Sequence, residues 1–157
     1  MRKIFSLKRV LLALLVIFLI MQLFRIDKTN PPVVQESDFI NNMNPPDEVA
    51  SLLKAACYDC HSNTTQYPWY SNIAPVSWWL KDHINEGRKE MNLSEWQSFA
   101  PKRKQKKLDE CLEMVKEGEM PLKSYTWIHK EAKLTKEQRA LLTAWFQSVG
   151  AKVESED

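Results

Sequence analysis

The chain has 157 residues, 44% of them hydrophobic, with 22 Lys and Arg against 20 Asp and Glu and a formal net charge of +2. That positive sign comes from residues 1–25, which hold five basic and no acidic side chains; residues 26–157 carry a net −3, which excludes the basic footprint that nucleic-acid binding requires. The roughly 130 residues beyond this leading stretch are the length of one domain.

In chain order, Arg2, Lys3, Lys8 and Arg9 precede an apolar run from Val10 to Phe24 that only Gln22 interrupts. As a helix this run spans about 22 Å at ~1.5 Å per residue, between a signal-peptide core and a full membrane span. Ile4, Phe5 and Leu7 can lengthen it if Lys8 and Arg9 snorkel. No small-residue cleavage site follows, since the sequence continues Leu23-Phe24-Arg25-Ile26-Asp27, and no cysteine is placed for a lipid. Residues 1–25 are therefore expected to be an uncleaved signal anchor with its basic end cytoplasmic and the remainder exported. Residues 26–44, with Asn30-Pro31-Pro32 and Asn41-Asn42-Met43-Asn44, read as a proline-rich tether with little to bury. Residues 45–150 form the expected domain, and 151–157 an acidic tail.

From Pro46 onward the pattern is helical, without strand alternation or internal repeat, and predicts an all-α fold. A first helix from about Pro46 to Ala56 puts Val49, Leu52, Leu53 and Ala56 on one face. A second opens at Pro75, a residue suited to a first turn, and carries Val76, Trp79, Leu80, His83 and Gly87 along one side. Ser94-Glu95-Trp96-Gln97 has capping-box spacing and starts a short helix. A longer one spans Pro101 to Glu117, stopped by Gly118. Basic residues open it (Lys102, Arg103, Lys104, Lys106, Lys107) and acidic ones close it, against the helix macrodipole; a solvated face with Lys106 to Glu110 pairing is the expectation. The last helix, Lys136 to Val149, has Thr135 and Gln138 in capping-box register and the strongest apolar stripe, Leu141, Leu142, Trp145, Phe146 and Val149.

The first helix leads into Cys57-Tyr58-Asp59-Cys60-His61, the C-x-x-C-H pattern of covalent c-type haem attachment. Two thiols on one helical turn can each form a thioether to a haem vinyl group, and the next residue supplies an imidazole to the iron. Thioredoxin-like dithiols and half zinc sites share the C-x-x-C spacing. Against zinc, the other candidate ligands, His83, Cys111 and His129, are scattered singly; against a dithiol enzyme, no βαβ pattern flanks Cys57. Covalent haem is attached on the far side of a bacterial inner membrane, which agrees with the exported reading of the amino terminus. Cys111 shares a helical face with Leu108, Leu112 and Val115 and is expected to be a buried apolar thiol.

Several further blocks stand in order: Cys-Tyr-Asp-Cys-His-Ser-Asn at 57–63, Tyr-Pro-Trp-Tyr-Ser-Asn-Ile-Ala-Pro-Val-Ser-Trp at 67–78, Gly-Arg at 87–88, Asn-Leu-Ser-Glu-Trp at 92–96 and Gly-Glu-Met-Pro-Leu at 118–122. Together with the terminal helix they resemble the single-haem "haem-binding domain" family of exported bacterial proteins, similar to cytochrome c, over about Phe39 to Ser148. The resemblance implies one covalent haem c at Cys57 and Cys60 with His61 as axial ligand, in a cytochrome c-like helical domain.

A haem iron with one His has an open face. Met120 is the candidate sixth ligand: it follows a helix-ending glycine and precedes Pro121, which disfavours helix at residue 120, and it lies before the carboxy-terminal helix, from where cytochromes c present their methionine. His83 is the alternative iron ligand, although a packed histidine beside Trp79 is its plainer role. His129, Met91 and Met114 are weaker candidates, with His129 expected in a solvated loop. Trp69, Tyr70, Trp78 and Trp79 are aromatics that can pack on a macrocycle or simply fill a core, and Tyr125 or Trp127 is placed to meet a propionate. The expectation is a membrane-tethered monohaem cytochrome that passes single electrons between redox protein partners in the periplasm and is not an enzyme, because six-coordination leaves no vacant site. The alternative is a five-coordinate haem protein, a sensor or a peroxidase-like enzyme.

Overall fold

The computed structural model describes residues 7–155, so Arg2, Lys3, Ile4 and Phe5 of the expected anchor and the end of the expected acidic tail lie outside the described residues. Eight α-helices follow in order: α1 (Leu7–Met21), α2 (Phe39–Met43), α3 (Asp47–Leu53), α4 (Asp59–His61), α5 (Val76–Glu90), α6 (Pro101–Glu117), α7 (Lys123–Ile128) and α8 (Lys136–Ser155). Short 3-10 turns join them, a π turn over Lys54–Tyr58 links α3 to α4, and no strand occurs among the described residues. The fold is all-α, as expected. Two compact units are present: residues up to Thr29 with Tyr67–His83, and Asn30–Gln66 with Ile84 onward.

In the second unit the long pair α6 and α8 makes the broadest helix contact. Pro101 begins α6, and Gly118 at φ 79 ends it, with its N–H donating to the carbonyls of Met114 and Val115. The capping box of α8 forms as its spacing predicts: the Gln138 side chain accepts from the Thr135 N–H at 2.9 Å, and the Thr135 hydroxyl accepts from the Gln138 N–H at 3.2 Å. α8 continues through Gly150 to Ser155, beyond the expected end at Val149 and into the expected acidic tail. Leu142, Phe146 and Val149 of α8 are buried with Leu108 and Val115 of α6, and with Val49, Leu52 and Leu53 of α3, in one core.

The expected tether 26–44 needs correction, because Asn30–Asn44 belongs to this unit and is not featureless. Asp38 caps α2 by accepting from the Ile40 N–H, and Phe39 is buried edge-on against Trp96 (ring centroids 4.7 Å apart) and Trp145 (5.7 Å). Burying such a ring stabilises by roughly 1.5–3 kcal/mol, which periodicity over a polar stretch does not reveal. The short helix expected after Ser94 is a 3-10 turn, Leu93–Ser98, whose cap is Asn92, accepting from the Ser94 N–H at 3.1 Å.

In the first unit none of the side chains of α1 is buried. No helix among the described residues is long and apolar enough to cross a membrane. α5 opens after Pro75 as expected, and Leu80 of its expected side is buried, but Val76 and Trp79 of that side are exposed and Ser77 is buried instead. One turn further on, in the second unit, Ile84 and Gly87 continue the buried line. The line 77, 80, 84, 87 lies about 100° round the helix from the one through 76 and 79.

Candidate functional site

Cys57, Cys60 and His61 lie on one unbroken helical run from Asp47 to His61, because Leu53, Lys54, Tyr58 and Asp59 all keep right-handed helical angles; Ser62, at φ −143 and ψ 174, ends it. The π turn falls on the residues that carry Cys57, an insertion that recurs at functional sites in helices. Cys57 is partly buried against the core. Desolvation pushes its thiol up to about 12, and the Cys60 thiol up to about 11, where the Asp59 carboxylate adds to the effect. Thiols held protonated are unlike the low-pKa thiolate of a dithiol oxidoreductase. A zinc centre also lacks its ligands: no group of three or more His, Cys, Asp or Glu among the described residues is arranged to hold a metal ion.

His61 is oriented by a carbonyl. Its Nδ1 lies 3.2 Å from the Met91 oxygen, and since a carbonyl only accepts, Nδ1 carries the hydrogen and Nε2 keeps the lone pair. Burial holds the imidazole below its usual pKa, hence neutral and competent to ligate. This is the outer-shell arrangement that metal-bound histidines use, with one nitrogen fixed by the chain. Together with two thiols one turn apart, it fits an axially ligated, covalently held haem.

The loop after His61 is fixed by buried polar groups that the sequence reading missed. The Ser62 hydroxyl donates to the Tyr58 carbonyl at 2.7 Å, the Asn63 N–H donates to the Ser94 hydroxyl at 3.0 Å, and the Asn92 amide donates to the Asn63 side chain at 2.9 Å. These bonds tie the pentad to the Met91–Ser94 segment whose carbonyl holds His61. Arg88 clamps the same loop, donating to the Ser62 carbonyl, the Asn30 side chain and the Thr65 hydroxyl, each at 2.8 Å. From the other side the Tyr125 hydroxyl donates to Asp59 Oδ2 at 2.7 Å, so this Tyr reaches the residue between the two cysteines. Asn92-Leu93-Ser94 was a legible signal, since Asn two residues before Ser is an Asx-turn spacing; a backbone carbonyl such as that of Met91 leaves no trace in sequence.

Gly87 sets the distance between α5 and the pentad. A Cβ built there would stand 2.6 Å from the Cys60 carbonyl oxygen and 3.0 Å from its carbon, both main-chain atoms that cannot turn aside. Gly87→Ala is expected to destabilise the haem-loaded protein by about 1–3 kcal/mol through overpacking, read as a fall in its unfolding midpoint. Gly150→Ala, whose Cβ would meet only the Gln105 amide at 3.3 Å, is expected to be neutral or to gain from the better helix propensity of Ala.

Met120 stands in the turn after α6, in the same unit as His61 and half-buried. Its N–H donates to the Met114 carbonyl at 3.2 Å, its bond to Pro121 is cis, and Arg139 of α8 reaches its carbonyl at 3.4 Å as well as that of Val115. His83 is in the other unit, with Nδ1 2.9 Å from the Trp79 carbonyl and its ring 4.2 Å from the Trp79 ring, beside Trp79 as the sequence reading expects. His129 is not the solvated residue expected: its side chain is only 16% exposed, stacked on Tyr125 at 4.3 Å and paired with Glu131 at 3.0 Å. Cys111 is a buried thiol as expected, pushed up to about 12 by desolvation and donating to the Met91 sulfur at 3.6 Å. On α6, Lys106 pairs with Glu110 at 3.6 Å as expected of a solvated face, whereas Lys107, only 12% exposed, pairs with the same carboxylate at 2.7 Å.

No curated protein and no solved structure proved similar to the chain. The sequence profile of the haem-binding domain family matches residues 16–148. That stretch contains the pentad, the Met91 carbonyl that orients His61, the Arg88 clamp and the Met120 turn, and on it the chain belongs to the haem-binding domain family.

Proposed function

We propose that the chain is a membrane-tethered monohaem c-type electron carrier, with haem joined through Cys57 and Cys60, His61 and Met120 as axial ligands, and redox proteins in the periplasm as partners. The observation that carries the reading is the orientation of His61: a neutral ring whose Nδ1 hydrogen is taken by the Met91 carbonyl, on the helical turn that holds both thiols. When bound, haem supplies a one-electron couple whose potential the axial ligands set.

The chain's own groups do the rest. Met91 fixes the ring plane and tautomer of His61, Arg88 and the Ser62–Asn63–Ser94 bonds hold the pentad loop against the unit, and the core of Val49, Leu52 and Leu53 keeps water from one side of the helix. Met120 adds a neutral thioether that favours ferrous iron. Were His61 and Met120 both to hold the iron, no position would be left for oxygen or peroxide, and the protein would carry electrons without catalysis.

α1 is the membrane-inserted segment in this reading. Its side chains from Val10 to Ile20 are exposed, the apolar run continues through Leu23 and Phe24, and Lys8 and Arg9 stand at its basic end. The shortfall of a length of about 22 Å against a hydrocarbon core of about 30 Å is met by snorkelling of the two cations and local thinning of the bilayer. The full chain, made with haem-attachment machinery, is expected to give a low-spin ferric spectrum and, once reduced, no carbon monoxide adduct. A high-spin ferric spectrum, or ready carbon monoxide binding, would instead support the five-coordinate sensor or peroxidase-like reading.

A further inference from the structure

The end of α1 is stapled to residues 72–78 by side chains far apart in sequence. Gln22, the one polar residue of the apolar run, pairs with the main chain of Ala74 in both directions: its amide donates to the Ala74 carbonyl and its carbonyl accepts from the Ala74 N–H, each at 3.0 Å. The Trp78 indole donates to the Phe24 carbonyl at 2.8 Å, and Lys28 donates to the Asn72 side chain at 2.6 Å. An amide inside an apolar run is costly to bury unless both its ends are satisfied, and here both are. The segment 72–78 is therefore held at the point where the apolar helix ends.

Around that staple the first unit displays large apolar side chains to the outside: Leu23 (79% exposed), Trp69 (72%), Phe24 (64%) and Trp79 (47%), with Val76 beside them. Arg25 and Lys28 supply cations at the same place. A contiguous exposed apolar patch marks a binding surface, and Trp bodies with polar edges, next to basic residues at the end of an apolar helix, are the composition of a membrane interface.

We propose that Leu23, Phe24, Trp69, Val76 and Trp79 form a collar that inserts at the headgroup–acyl boundary of the phospholipid bilayer, on the side where α1 emerges. The occupant is lipid because the segment 72–78, which carries Val76 and lies between Trp69 and Trp79 in the chain, is bonded to the end of the apolar helix α1. The collar rests on the reading of α1 as membrane-inserted. It makes residues 67–83 an interfacial element.

The test uses the full chain, with haem attached and reduced so that low-spin ferrous iron is diamagnetic. It is placed in vesicles of phosphatidylethanolamine and phosphatidylglycerol, with single nitroxides at Trp69→Cys, Trp79→Cys, Leu14→Cys in α1 and Ala144→Cys on the exposed side of α8. Relaxation by oxygen and by a water-soluble nickel chelate reads depth. The ratio of oxygen to nickel accessibility at 69 and 79 is expected to be several-fold that at 144 and below that at 14. If 69 and 79 match 144 while 14 is buried in lipid, the collar is overturned and the anchor stands. If 14 also reads as water, the anchor reading falls and takes the collar with it. Labels at 69 and 79 shielded from both reagents, with broadening between copies, would assign the face to a second copy of the chain and overturn the lipid proposal.

Discussion

Serine at both Cys57 and Cys60 is expected to yield a chain whose haem is removed completely by acidified organic solvent, whereas the unaltered chain keeps it and gains the mass of one haem. Each single substitution should leave one attachment and a haem that still resists extraction. The expectation follows from the helix that carries the thiols: the run from Asp47 to His61 is continuous, so both sulfurs belong to one rigid element, Cys57 one turn before His61 and Cys60 next to it. It follows too from what the thiols are unfit for, since desolvation holds both protonated, at about 12 and about 11, and thiol exchange needs the thiolate. The check is intact mass of protein isolated from a host with the attachment machinery. A bare polypeptide mass for the unaltered chain would remove covalent haem from the account and return Cys57 and Cys60 to dithiol chemistry.

The helices that the sequence announced correctly have chemistry at both ends. α6 lies between a proline that needs no hydrogen-bond donor and a glycine at positive φ, and α8 starts at a reciprocal cap, so their limits are written in residue types. Where a segment is short or its burial depends on a distant partner, the signal is lost. Phe39 is one aromatic in a polar stretch, and only Trp96 and Trp145, far along the chain, make it core. α7 has six residues, too few to show a period. In α5 the buried side keeps Leu80 but turns away from Val76 and Trp79, because tertiary packing takes in Ser77 and Ile84 instead.

The site was legible in the same uneven way. Cys57, Cys60 and His61 are adjacent, so a motif finds them. The groups that orient His61 and its loop are a backbone carbonyl at Met91 and a buried set of short polar side chains, Ser62, Asn63, Asn92 and Ser94. Each of these residues is ordinary in a surface loop, and only their meeting inside the unit gives them weight, because a buried polar group left without its partner costs about 1–3 kcal/mol. Gly87 read as one more residue along a helix side, and it is a point of close approach to the main chain of Cys60.

Met120→Ala is expected to open one face of the iron: the low-spin ferric spectrum gives way to a high-spin one, the reduced protein goes from no carbon monoxide adduct to a near-stoichiometric one, and the potential falls with loss of the thioether. The other methionines of the second unit are committed elsewhere. The sulfur of Met91 accepts from Cys111 and its carbonyl from His61, Met43 packs against the core, and Met114 is 36% exposed on α6. Met120 stands in a turn that is fixed at both sides without its sulfur, by the Gly118 cap and by Arg139 from α8, so truncating its side chain leaves the backbone anchored and the spectral change attributable to the ligand. His83→Ala is the matched control, since that ring is bonded to the Trp79 carbonyl and packed at a tilt against the Trp79 ring, and its loss should leave the spectrum as it was. An unchanged spectrum in Met120→Ala, with the low-spin signature lost instead in His83→Ala or His129→Ala, would move the sixth ligand to that histidine. The expected potential would then drop into the bis-imidazole range, and with it the direction in which the protein can pass its electron.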